Sequence, residues 1–598
     1  MKAKNKFIKR VVSLAIVCLI SVASSVAEGG HKHAKLSPEL RSAPPTGDVD
    51  VIVQYTTAPT EQHLKKVTAK GAKLKHNLSV IHGAAFKGLP ASALAELAAD
   101  PDVAYIAPDR PLKGSSLDYA PESVNAPWAW QQMALDGKGV GVAVIDSGVT
   151  PVGDLYWYDP LTGAYGSRVV YSESFVPGST DTLDAFGHGT HVAGVIASAG
   201  WYSWGSKFFH QFKGIAPNAN IINLRALDST GSGTDSTVIA AIQAAIRLKS
   251  QYNIRVINLS LGRPVFESYT VDPLCQAAEA AWKAGIVVVA AAGNDGRDDS
   301  ANTDGYGTIA APGNDPYVVT VGAMKTAGTA DRADDQIASY SSKGPTSIDH
   351  VVKPDLVAPG NKIISTLSPN SILQLQDSSS DVLMGEYAYI TDTTSGKGKK
   401  IGYSTFTSTT ISTDYFRLSG TSMAAPVVSG AAALMLQADP TLTPDTVKAR
   451  LMKSATKQFP AFSTTTDPST GKTYTDYYDI FTVGAGYLDI QGALLSTDVV
   501  PSDLTAKSPT AAYDSVANDA YVIADASDVW ENSVVWGDSV VWGYTVFSGT
   551  TADGQSILWD NSVVWGNQDA DGFSVVWGDS VVWGIADSEV FSALRGEN

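Results

Sequence analysis

The sequence predicts an α/β fold for the largest part of the chain, a parallel sheet covered by helices on both faces. A small α+β unit precedes it and a tryptophan-rich repeat module, read as β, follows. Three observations carry this. Between residues 120 and 495 short Val/Ile runs alternate with helical patterns, and strands without polar alternation are buried on both faces. Residues 48–115 follow the order β-α-β-β-α-β, a ferredoxin-like arrangement. From Ser508 to Leu594 there is no Lys, Arg or His, while seven of the 13 tryptophans lie between Trp530 and Trp583.

Taken in order, residues 1–27 read as a signal peptide. Lys2, Lys4, Lys6, Lys9 and Arg10 precede the apolar run VVSLAIVCLISVA, and Ser25-Val26-Ala27 offers small residues for cleavage after Ala27. The run is shorter than the ~20 residues a spanning helix needs, so export is expected. Residues 28–47 read as a linker, with His31 and His33 in a solvated tail. In the small unit DVIVQYT, KLKHNLSVI, GAAFKGL and VAYIAP read as strands, and TEQHLKKVTAKG and PASALAELAAD as helices. In the large one GVAVID, NIINLRAL, VINLSL, IVVVAAAG and YVVTVGA read as strands. GTHVAGVIASA, TDSTVIAAIQAAIRLKS, DPLCQAAEAAWKAG, AAPVVSGAAALMLQA and PDTVKARLMKSA read as helices.

The net charge of −17 argues against a nucleic-acid partner, which would want a basic face. Of two cysteines, Cys18 leaves with the signal and Cys275 sits in an amphipathic helix. An internal disulfide is therefore not expected, nor a cysteine nucleophile. Gly137, Gly139 and Gly141 precede their strand, whereas a dinucleotide site needs them after it.

Three polar residues stand at strand ends and helix starts, where a parallel sheet presents functional groups. Asp146 ends VAVID, His188 opens the helix of GHGTHVAG, and Ser422 lies in GTSMAAP. Acyl transfer needs a nucleophile, a base and a buried acid that holds the base in one tautomer. It also needs an oxyanion donor, and Asn294 follows a strand end in AAAGNDG. Each residue has a plainer reading: Asp146 and Asn294 as turn residues, His188 as a helix-start residue, Ser422 as a helix cap with Pro426 in the first turn.

Together, VIDSGV, GHGTHVAG, NLSLG, AAGND and SGTSMAAP closely resemble the subtilisin-like serine proteases, the subtilase family (peptidase family S8). The resemblance covers about 120–495 and keeps that family's Asp, His, Ser order. It implies a subtilisin-like catalytic domain and a secreted serine endopeptidase. Ser422 would be the nucleophile, His188 the base and then acid, Asp146 its orienting partner and Asn294 the oxyanion donor. It also implies that Gly231-Ser232-Gly233 and Ser260-Leu261-Gly262 clamp an extended peptide. The small-residue wall 290–294, with Ala310 at the rim, would favour a large apolar P1 side chain. The sedolisin type, which has glutamate and aspartate instead, does not fit His188 and Asn294. A binding or matrix protein on an idle protease fold would need none of these four residues together.

Unit 48–115 resembles the family's inhibitor I9-type propeptide, so a self-inhibited precursor cut within 113–120 is implied. A slow-folding parallel sheet gives a physical reason for such a folding helper. Protein or peptide substrates and the chain's own propeptide are the implied partners, the enzyme acting as a monomer. No cofactor is required, no metal ligand is assigned, and calcium enters only as a structural ion.

Two segments depart from the family pattern. WYSWGSKFFHQFKGIAP stands where many subtilases carry an Asn-rich calcium loop. Asp154, Asp181 and Asp184 offer other carboxylates but read first as solvated loop residues. Residues 368–413 are an insertion that could form a hairpin beside the active site, read as a flexible surface segment rather than a regulatory lid. In 496–598 tryptophan recurs every six residues within clusters, as at Trp530, Trp536 and Trp542. Exposed, such rows would contact polysaccharide or a cell surface; buried, they would be the core of an appended β unit.

Overall fold

A computed structural model of the chain describes residues 35–37, 40, 47–78, 81–108, 119–158, 161–300, 303–389, 409–467, 470–514, 519–523, 528, 581–582 and 597. The signal segment, His31 and His33, and the tryptophan clusters lie outside these residues. The chain divides into two compact units between Lys113 and Gly114.

In the first unit, β1 (Asp48–Tyr55), α1 (Glu61–Thr68), β2 (Lys73–Leu78), β3 (Gly83–Pro90), α2 (Leu94–Ala99) and β4 (Val103–Pro108) follow the order read from the sequence. Their sheet runs β2-β3-β1-β4 and is antiparallel throughout. Val51, Val53, Phe86, Leu89 and Ile106 are buried on the face that the helices cover. Thr60 caps α1 by accepting from the His63 amide, whose ring in turn accepts from the Thr60 amide.

The second unit is built on β5 (Gly141–Asp146), β6 (Val169–Ser174), α3 (His188–Ala197), β7 (Asn220–Arg225), β8 (Ser232–Gly233), α4 (Asp235–Tyr252), β9 (Ile254–Leu259), α5 (Pro273–Lys283), β10 (Val287–Ala291), β11 (Val319–Lys325), β12 (Gln336–Ile337) and β13 (Leu356–Pro359). Its sheet runs β12-β11-β10-β9-β5-β7-β6, with β13 also paired to β11. Every pairing is parallel except β11 with β12. All six residues of β5 are buried, as a strand between two helix layers requires. β6, β12 and β13 were not read from the sequence. VVYSES in β6 lies at a sheet edge and alternates in burial, so it lacks the continuous apolar run used to find the others.

After β14 (Ile363–Thr366), β15 (Asp381–Leu383) and β16 (Ile411–Leu418) come helices α6 (Thr421–Ala438) and α7 (Pro444–Ser454). Among the described residues α6 alone is long and apolar enough to cross a membrane, and it is buried in the core. Cys275 is buried in α5 with its thiol on Asn314 Oδ1 at 3.3 Å, and burial pushes its pKa up.

Of the insertion, residues 368–389 and 409–413 are described, and β15 pairs antiparallel with β16 as the hairpin the sequence allowed. β14 completes the sheet, β14-β16-β15. Tyr387 and Tyr415 pack with Phe208 and Phe212 of the aromatic segment 201–217, Phe208 stacked on Tyr387 at 5.6 Å and Phe212 edge-on to Tyr415 at 4.8 Å. The two departures from the family pattern thus share one small core with Ile364 of β14 and Tyr415 of β16. Residues 496–512, grouped by composition with the C-terminal module, also pack on the body, through Val500, Ala506 and Ala511.

A charged cluster anchors this side. Asp355, fully buried, meets Lys353 Nζ at 2.7 Å and Lys448 Nζ at 3.2 Å, and accepts from the Thr320 amide at 2.7 Å. Asp355→Ala strands two buried ammonium groups and is expected to destabilise the unit by about 3–5 kcal/mol. Chemical denaturation of the two proteins measures it, and a loss below about 1 kcal/mol would show that the lysines relax to water.

Candidate active site

Asp146 ends β5, in the middle of the sheet, where strand geometry fixes its backbone. Its two carboxylate oxygens face His188 Nδ1 at 2.9 and 3.0 Å. A carboxylate only accepts, so Nδ1 carries the hydrogen and Nε2 is the basic nitrogen. Both residues are buried. Burial alone would push the His188 pKa down; the Asp146 charge and hydrogen bond outweigh it and hold the pKa above histidine's usual value.

His188 opens α3 because Gly187 takes φ +109, a left-handed geometry open to glycine. The first amides of α3 then need acceptors. Asp184 takes those of Gly187 and Thr190, each at 2.7 Å, and Ser147 Oγ takes that of Gly189 at 3.0 Å. Gly189 has no room for a side chain, since a Cβ there would sit 2.2 Å from the Gly148 carbonyl and 3.1 Å from Asp146 Cβ.

The expectation of solvated loop carboxylates is therefore corrected for two of the three. Asp184 is buried beneath α3, and burial raises its pKa. Asp154 is buried too, accepting from Tyr415 Oη at 2.6 Å, Ser198 Oγ at 3.2 Å and the Tyr202 amide at 2.9 Å. Among the described residues no group of three or more His, Cys, Asp or Glu is placed to hold a metal ion. His191, one turn after His188, donates from Nε2 to the Ile363 and Phe416 carbonyls at 3.1 Å. Burial drives its pKa down to about 3, so it is a neutral tie between α3 and the β14/β16 sheet.

Ser422 is not the helix cap. Gly420 precedes α6, Ser422 is its second residue, and no side chain caps the start. Nor does Pro426 lie in the first turn: it is a turn further in. Proline has no N–H to give the carbonyl four residues back, which is that of Ser422. Ser260 Oγ takes over, donating to the Ser422 carbonyl at 2.7 Å, while Ser422 Oγ donates to the Ser260 carbonyl at 3.2 Å. Helices α3 and α6 pack against each other, so two helix starts carry the histidine and the serine.

Asn294 follows β10 and Gly293, whose φ is +110. Its Oδ1 accepts the Thr421 amide at 2.9 Å and lies 3.2 Å from Thr421 Oγ1. An amide N–H must face the oxygen, so Asn294 Nδ2 is turned to the other side. A Cβ built on Gly420 would lie 3.3 Å from that Nδ2 and 3.6 Å from the Ser422 nitrogen. The Asn294 amide and the Ser422 nitrogen thus lie on the same side of Gly420, close to the serine. Asn294→Ala is expected to lower kcat by about 10²–10³-fold, the loss known for an oxyanion donor in a subtilisin. Steady-state kinetics on a peptide substrate checks it, and a loss below about tenfold would move the donor elsewhere.

A profile of the subtilase family matches residues 137–474. The chain belongs to the subtilase family. Among its relatives, serine protease AprX of Bacillus subtilis (strain 168) is 36% identical over 401 residues, 65% of this chain and 77% of the relative. Subtilisin E of the same strain is 33% identical over 393 residues, 65% and 80%. The subtilisin of Bacillus pumilus is 33% identical over 342 residues, 57% and 92%. This subtilase is a serine endopeptidase.

Of the segments expected to hold substrate, one lies at β8 and the other follows β9. Ser232 and Gly233 form β8, and a Cβ on Gly231 would strike the Phe186 ring at 2.6 Å. Ser260 and Leu261 are fully buried, and Gly262 abuts Ala310 and Ala311. β8 is paired antiparallel with Val581–Val582, Ser232 opposite Val582. The sequence reading missed Ser147, Asp184, Ser260 Oγ, Thr421 and Pro426 as supports. Pro426 carried the one usable signal, a proline four residues after the serine.

Proposed function

We propose that this serine endopeptidase cleaves peptide bonds through an acyl-enzyme on Ser422. The Asp146 to His188 Nδ1 pairing carries the proposal, because it leaves Nε2 as a base whose protonated form the carboxylate stabilises. Ser422 Oγ turns from the Ser260 carbonyl, gives its proton to Nε2 and attacks the scissile carbonyl carbon. The oxyanion collects on Asn294 Nδ2 and the Ser422 amide. His188 then returns the proton to the departing amine, the C–N bond breaks, and water attacks the ester by the same route. The peptide adds as a strand between 231–233 and 260–262. Nucleophile, base, acid and oxyanion donors all come from this chain, so the reading gives the reaction no cofactor and calcium only a structural role.

The basic and apolar pattern of residues 1–27 supports export to the extracellular side. The βαββαβ unit supports the role of a folding helper and inhibitor, removed by a cut within 113–120. The mature enzyme acts as a monomer. Intact-mass analysis of the exported protein, beside Ser422→Ala, tests the scheme. Wild type is expected to lose everything before 113–120 while the variant keeps residues 28–119. Both remaining long would overturn self-processing, and both being cut would assign the cut to another protease.

A further inference from the structure

Glu597 is a carboxylate in a place where carboxylates are rarely found. Its side chain is 3% exposed, and a buried charge needs partners for both oxygens. One oxygen meets Arg297 Nη2 at 2.6 Å and accepts from the Ser339 amide at 3.0 Å and from Ser339 Oγ. The other meets Lys325 Nζ at 3.0 Å. The main chain is held as well: the Glu597 amide donates to Asn361 Oδ1 at 2.7 Å, and Asn361 Nδ2 donates to the Glu597 carbonyl at 3.0 Å. Burial would raise the carboxyl pKa, and Lys325, Ser339 and Arg297 outweigh it and hold it low.

The cage is itself built. Arg297 is braced by Asp467 at 3.1 Å and Ser339 Oγ at 2.8 Å, and lies over the Tyr474 ring. Lys325 also donates to Thr465 at 2.8 Å. Its members border the catalytic loops: Arg297 comes three residues after Asn294, and Asn361 follows Gly360, whose carbonyl accepts the Gly420 amide at 2.8 Å.

At the other end of the tryptophan-rich segment Asp528 is also fixed to the body. It is buried, accepts from Thr505 Oγ1 at 2.7 Å and pairs with Lys507 at 3.5 Å. We infer that Arg297, Lys325, Ser339 and Asn361 form a carboxylate-binding site whose ligand is the chain's own Glu597. By this capture the chain, already fixed to the body at Asp528, is held to it again at Glu597. Between these two anchors Val581–Val582 pair with β8.

The test needs no catalysis and is made in the full-length Ser422→Ala chain. A recognition sequence for a site-specific protease is inserted after Gly554 and cut, and the nicked protein is passed over a sizing column. The fragment carrying Glu597 is expected to travel with the body, and with Glu597→Gln to be retained at least tenfold less. Loss of the fragment in both, or equal retention in both, would overturn the site. Independently, a Ser422→Ala chain ending at Gly596 is titrated with the synthetic peptides ALRGEN and ALRGQN. The glutamate peptide should bind saturably and at least tenfold more tightly; equal or absent binding would overturn the proposal. Should the shortened chain fail to fold, the nicked full-length comparison decides alone.

Discussion

Ser422→Ala is expected to lower kcat by about 10⁶-fold, the size of the loss when the nucleophile is removed from subtilisin. The fold should survive. Among the described residues Ser422 Oγ makes one hydrogen bond, a 3.2 Å donation to the Ser260 carbonyl, and losing it costs about 0.5–1.5 kcal/mol. The bond that holds the start of α6 uses the Ser422 carbonyl and Ser260 Oγ, which alanine leaves intact. Active-site-titrated kinetics beside thermal unfolding separates the two effects. Residual activity within about tenfold of wild type would remove Ser422 from the chemistry. A collapse of the melting temperature would mean instead that the hydroxyl is structural.

Asp146→Asn should lower kcat by about 10⁴-fold, as loss of the triad carboxylate does in chymotrypsin-like enzymes by favouring the wrong imidazole tautomer. It also makes a pH prediction. His188 must be neutral to act as base, and its pKa lies above the usual value because of the Asp146 charge and hydrogen bond, against burial. In wild type kcat/KM should therefore fall as pH drops, with a midpoint above about 6.5. With the Asp146 charge gone, burial is opposed only by the Asp184 charge, and the midpoint of the residual activity should move down. A pH–rate profile of both enzymes reads this directly. A midpoint that moves up, or stays put, would show that another group sets the base.

The stability of the site rests on parts of very different visibility in the sequence. GHGTHVAG and GTSMAAP announce a histidine and a serine at helix starts, and the structure has both there. The apolar runs of β5, β7, β9, β10 and β11 are found within a few residues of where they were read, since a strand buried on both faces has little choice of composition. The edge strand β6 escaped because it lacks a continuous apolar run, and β12 and β13 because they are only two and four residues long. Asp154 and Asp184 were read as loop carboxylates, and sequence offers no sign that their oxygens are used up beneath α3 and against Tyr415.

What the sequence by itself determined is the local grammar: the alternation of strand and helix, the order of Asp146, His188 and Ser422, and the helix starts on which His188 and Ser422 stand. Only the tertiary structure decided which partners hold those groups. Ser260 reaches the Ser422 carbonyl across 162 positions, Thr421 turns the Asn294 amide across 127, and Asn361 receives Glu597 across 236. It also joined the aromatic segment 201–217 to the insertion as one core. The reason is physical. Periodicity and turn chemistry are enforced within a few residues by backbone geometry. A buried polar atom, in contrast, takes whichever donor or acceptor the packing brings within about 3 Å, and no local pattern records that choice.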